Sequence, residues 1–186
     1  MKSFKTFITE TPWVNSLELD ADFKRAPKME PSPPDLIVSE RGKYLPGTIG
    51  DHHKIIRFEG NAPKHPGEKQ GVSYYLHNIK TGNVEMAVHG EEDGKKFFVN
   101  GLGAYAGGKY KAHEFYHHLI THHDIHMHSD YEQSTGGMKV WKALHKMPGI
   151  HMQSFNGSSE QYSELKRNFR TKYDMDSSTR LAAKKI

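Results

Sequence analysis

The chain contains no cysteine. That excludes a disulfide framework, a thiol nucleophile and any zinc site with Cys ligands. No stretch approaches the ~20 consecutive apolar residues of a membrane-crossing helix. The first ten residues, Met1-Lys2-Ser3-Phe4-Lys5-Thr6-Phe7-Ile8-Thr9-Glu10, lack the apolar centre of a secretory signal. No membrane partner is expected. Charge of one sign is also weak: 26 basic against 22 acidic residues give a formal +4. No Lys/Arg run forms a basic stripe, although the sign permits contact with nucleic acid. At 35% hydrophobic and 11% aromatic residues, the sequence is too apolar for wholesale disorder. Its 186 residues allow one domain plus an extension. The unusual abundance is histidine: 14 in all, seven of them between His113 and His128.

Residues 1–10 have a helical pattern, with Phe4, Phe7 and Ile8 at i, i+3 and i+4, and Pro12 ends it. Residues 11–45 are expected as an extended arm, because Pro27, Pro31, Pro33 and Pro34 sustain neither helix nor central strand. Residues 46–186 form the folded domain. Strands are expected at 54–58, 72–79, 84–88 and 96–102, the last three as an antiparallel meander. A glycine-rich segment, 101–108, then opens a helix over 110–123, with Ala112, Phe115, Tyr116, Leu119 and His123 on one face. A short strand at 124–129, a helix at 135–146 and a strand at 150–155 follow. Residues 158–173 have helical spacing and 179–184 read as a closing strand. The fold class is therefore α+β, with a sheet that changes from antiparallel to parallel.

Three motifs bear chemistry. His113-Glu114-Phe115-Tyr116-His117 matches the zinc-hydrolase pattern of two imidazole ligands with a Glu general base. His123 stands at the spacing of a third ligand, but on a continuous helix it points to the core stripe, away from His113 and His117. No metal site is assigned, and most of these histidines read as solvated. The second motif is strand, glycine loop and helix N-terminus, an arrangement that offers backbone amides to a phosphate. It is neither a P-loop nor a dinucleotide fingerprint. The third is Ser129-Asp130-Tyr131-Glu132-Gln133-Ser134-Thr135-Gly136-Gly137, between a strand and a helix. Ser134 or Thr135 can cap the helix, and Tyr131 can act as a proton donor.

Two resemblances follow from these residues. Met1–Glu10 resembles the capsid-targeting peptide of internal head proteins in tailed phages. Ile8-Thr9-Glu10 matches the prohead-protease site, which implies cleavage between Glu10 and Thr11. Over 50–186, the runs Phe115-Tyr116-His117-His118-Leu119-Ile120, Ser129-Asp130, Gln133-Ser134, Gly136-Gly137 and Val140-Trp141 resemble phage proteins with a GNAT-like (acetyltransferase-like) fold. So does the closing Thr179-Arg180-Leu181-Ala182-Ala183. The resemblance implies a GNAT-like mixed sheet flanked by helices. It implies acetyl-CoA as cofactor, its pyrophosphate held by Leu102, Ala104, Gly107, Gly108, Lys109 and Lys111, with Tyr131 as the catalytic group. The family's loop pattern, Q/R-x-x-G-x-G/A, fits neither Gly107 nor Gly108: the flanking places hold Ala104 and Lys109 in one frame, Tyr105 and Tyr110 in the other.

The readings that follow are an acetyl-CoA-dependent N-acyltransferase of unassigned acceptor and a non-enzymatic internal or structural virion protein. A zinc-dependent hydrolase is the third. The first two place the protein inside the phage head or in the host cytoplasm, with capsid, DNA or a host protein as partner.

Overall fold

The computed structural model describes residues 42–60, 69–104, 108–131, 133–165 and 179–186. Among the described residues the nine strands are β1 (Gly42–Tyr44), β2 (His53–Glu59), β3 (Gln70–Asn78), β4 (Asn83–Asp93), β5 (Lys96–Ala104), β6 (His126–His128), β7 (Ile150–Asn156), β8 (Gln161–Glu164) and β9 (Thr179–Lys185). The two helices among the described residues are α1 (Ala112–His123), between β5 and β6, and α2 (Thr135–Leu144), between β6 and β7. The sheet order is β1-β2-β3-β4-β5-β6-β9-β7-β8. β5 and β6 pair in parallel, while β9 is antiparallel to both β6 and β7. This is the expected α+β, GNAT-like mixed sheet flanked by helices.

Two compact units share the chain. The first runs to Gly90 and takes up Gly101–Lys109. β1, β2 and β3 form its antiparallel ladder, in the register His53 opposite Asn78 and Ile56 opposite Tyr75. Ile56, Tyr75, Val84 and Ala87 form one buried cluster, with Phe58 packed against it. The second unit comprises Glu91–Asn100 and Tyr110–Ile186. The β4–β5 hairpin turns at Gly94, whose φ of +60° suits a residue without Cβ.

In α1, Phe115, Tyr116, Leu119 and Ile120 are buried. Ile120 rather than His123 completes the core stripe, because the strong i, i+1, i+4, i+5 face is apolar and His123 falls at its edge. The helix ends at Asp124, which adopts a left-handed conformation at φ 54° and donates its N–H to the Leu119 carbonyl. In α2, Met138, Trp141 and Leu144 are buried, and the Trp141 ring meets Tyr116 edge-on at 5.7 Å. Ser134 is the N-cap: its Oγ accepts the Gly137 N–H at 3.0 Å. Ser134→Ala is expected to lower stability by about 1 kcal/mol, read as a shifted urea midpoint at unchanged slope.

Two expectations need correction. Residues 161–164 are a strand, β8, rather than part of a helix. Asn156 Oδ1 accepts the N–H groups of Ser158 and Ser159 at 2.9 and 3.0 Å, which turns the chain back before a helix can start. Residues 42–44, assigned to the arm, form β1 and pair with β2. The expected helix over 1–10, most of the arm, and 166–173 of the third expected helix lie outside the described residues.

Candidate functional site

Within the first unit, β2 and β3 place His53 directly opposite Asn78, and β4 brings Glu85 to both. The Glu85 carboxylate is largely buried and accepts three hydrogen bonds. His53 Nε2 donates to Oε2 at 3.0 Å, Asn78 Nδ2 to Oε1 at 2.8 Å, and the Lys109 backbone N–H to Oε2 at 3.3 Å. Burial pushes the Glu85 carboxyl up, but the donors Asn78, Lys109 and His53 outweigh it and hold the group below its ordinary value. A second polar pair lies on the alternate face, where Tyr44 Oη and His77 Nδ1 stand 2.8 Å apart.

Lys109 directly follows the glycine-rich segment. The residue, expected to hold phosphate with its charge, is exposed, and its amide is donated to Glu85. Lys111, the N-cap of α1, is engaged in the same way inside the second unit: its N–H donates to Glu114 Oε2 at 2.7 Å. This is one half of a capping box, and it puts a carboxylate at the positive end of the helix. Leu102 is half-buried on β5, Ala104 is exposed at its end, and Gly108 is half-buried. Gly107 lies outside the described residues, as do Glu10 and Thr11. The Lys109 and Lys111 amides do not fit a diphosphate as they stand, since each is donated to a carboxylate of the same charge sign.

Tyr131 lies where β6 leaves the sheet. The β5–β6 pairing ends at Phe98 opposite His128. Beyond it, Ser129 is clamped to β9: its N–H donates to the Leu181 carbonyl at 2.8 Å, and its Oγ accepts the Leu181 N–H at 2.9 Å. Tyr131 is 39% exposed, and its N–H donates to Asp130 Oδ1 at 2.7 Å. The Arg180 guanidinium stands 3.6 Å from the Tyr131 ring centroid and 5.0 Å from that of Phe98. Sequence reasoning missed Arg180. Its signal was the strand position two places before Ala182, which carries no chemistry until β9 is known to lie beside β6.

The zinc-hydrolase motif is not assembled. Glu114 is held by the Lys111 amide, and His117 Nε2 lies 2.9 Å from the Pro148 carbonyl. His118 instead stacks on His122 at 4.0 Å and meets His123 at 5.4 Å. Burial, then the neighbouring His122, His123 and His117, lowers the His118 pKa to about 4. Among the described residues no group of three or more His, Asp or Glu side chains is placed to hold a metal ion. Of the cluster histidines, expected mostly to be solvated, His128 is buried, because it occupies an inward strand position. His53 and His77, on β2 and β3, are buried as well. His128 is enclosed by Phe98 and Phe155, with ring centroids at 4.8 and 4.7 Å.

No helix among the described residues is long and apolar enough to cross a membrane. No protein-family model, curated protein or solved structure matches the chain.

Proposed function

We propose that this chain is a tailed-phage protein of the head interior whose GNAT-like domain serves binding rather than acyl transfer. One observation carries the reading: Glu85 and Glu114 occupy the amides of Lys109 and Lys111 that a cofactor's pyrophosphate would need. Tyr131 supports it too, since its ring is covered on one side by a guanidinium cation. The leader Met1–Glu10 and the excess of basic residues suit a protein stored beside DNA. Intact-mass analysis of protein recovered from virions tests the location. Loss of Met1–Glu10 is the expected result, and full-length protein there contradicts the packaging claim.

A second reading is an acetyl-CoA-dependent N-acyltransferase with Tyr131 as proton donor. The strand order favours it, with β9 between β6 and β7 and a parallel pair at β5–β6. On that reading the acceptor is an amine of the host or phage, and the protein acts in the host cytoplasm after delivery. Release of free CoA thiol in the presence of a mixed amine pool is its signature.

A further inference from the structure

The second unit has one sheet face without a described helix. Lys185 Nζ donates to the Thr121 carbonyl of α1 at 3.2 Å, so α1 lies on the face of Leu181, Ala183 and Lys185. Alternation turns Arg180, Ala182 and Lys184 to the other face. Register adds Lys96 and Phe98 from β5, His126 and His128 from β6, His151 and Phe155 from β7, and Tyr162 and Glu164 from β8. Phe98, His128, Phe155 and Ala182 are buried at its centre, so its accessible part is the rim of Arg180, Lys96, Lys184 and Tyr162.

This face is cationic and aromatic. Arg180 lies against Phe98 and Tyr131, and Lys96 Nζ lies 5.6 Å from the Phe155 ring centroid. Among the described residues, Arg180, Lys96 and Lys184 have no carboxylate within ion-pair distance, whereas Lys95 is paired with Asp124 and Arg57 with Glu59. Two acidic groups of the neighbourhood have cationic or imidazole partners, Glu164 at 3.4 Å from His151 and Asp124 at Lys95, while Glu160 stands near Tyr162. Tyr131 and Tyr162 are each 39% exposed, and Tyr162 is backed by Phe155 at 4.9 Å. Exposed rings on a sheet, interleaved with unpaired cations, suit unstacked bases and a phosphate chain.

We propose that this face binds single-stranded nucleic acid, with Arg180, Lys96 and Lys184 contacting phosphates and Tyr162 stacking on a base. The proposal rests on the binding-protein reading and names its partner. Its test needs no cofactor, so its failure is separate from any result with acetyl-CoA.

The test is a fluorescence-anisotropy titration of the full chain with a labelled oligothymidylate of about 12 nucleotides. Three phosphate contacts predict a slope of log K against log salt of about −2, and Lys184→Ala should flatten it by about 0.7. Tyr162→Ala, at an exposed position on β8, should weaken binding at least about fivefold. Arg180→Lys keeps the charge if Arg180→Ala fails to fold, and should bind more weakly than the unaltered chain because it loses the planar fork. Absence of binding at low salt overturns the proposal. So does binding that Tyr162→Ala and Lys184→Ala leave unchanged, or equal affinity for a duplex.

Discussion

Between pH 6.5 and pH 4 the protein is expected to lose several kcal/mol of stability, chiefly through His89 and His118. Burial lowers the pKa of His89 to about 4, and burial with neighbouring imidazoles lowers that of His118 to about 4. In the unfolded chain both titrate at about 6.5. Between those limits the unfolded state binds protons that the folded state refuses. Stability is therefore complete above the unfolded value and falls as pH drops toward the folded one. His89 keeps part of its residue surface exposed, but its Nε2 is buried, Ser73 Oγ lies 2.7 Å from its Nδ1, and its ring meets Tyr75 edge-on. Its full share is on the order of 3 kcal/mol, and its partial exposure reduces it. His118 is half-exposed and contributes less, because solvent screens it. His77, His123 and His126 are shifted in the same direction. Urea midpoints at several pH values should fall through this window, and His118→Ala should flatten part of the fall. A level profile down to acid pH would mean that these rings are solvated after all.

Glu85→Ala is expected to cost about 3 kcal/mol, and the reason is the donors it abandons rather than the atoms it removes. His53 is 4% exposed and would lose its carboxylate partner. Asn78 Nδ2 and the Lys109 amide would lose theirs as well. Hydrogen bonds to a charged acceptor are worth more than neutral ones, and each buried donor left over carries a desolvation cost. Glu85→Gln keeps the shape and one acceptor oxygen, so about 1 kcal/mol is expected for it. Chemical denaturation of both variants measures the difference. Equal, small effects would mean that water replaces the carboxylate without loss.

Much of the second unit could be read from the chain. In α1 the apolar spacing of Phe115, Tyr116 and Leu119 marked the buried face, and Ser134 announced the start of α2. The alternation of Val84, Met86 and Val88 marked β4. β8 was hidden because Tyr162 and Leu165 also fit a helical period, although Asn156-Gly157 is a hairpin signal. The histidines misled for a physical reason: one strand residue in two faces inward whatever its type, so composition cannot separate a buried imidazole from a solvated one. The candidate site was legible as residue types but not as chemistry. Lys109 and Lys111 were placed correctly after a glycine segment and at a helix start. That Glu85, 24 residues earlier, would take the Lys109 amide depends on strand pairing that no local motif reveals.

The most direct test of the account is a calorimetric titration of the full chain with acetyl-CoA. With Glu85 and Glu114 seated on the loop amides, no saturable heat is expected up to millimolar ligand. Saturable binding that Gly108→Trp weakens would contradict the account and establish the glycine segment as the cofactor site of an acyltransferase.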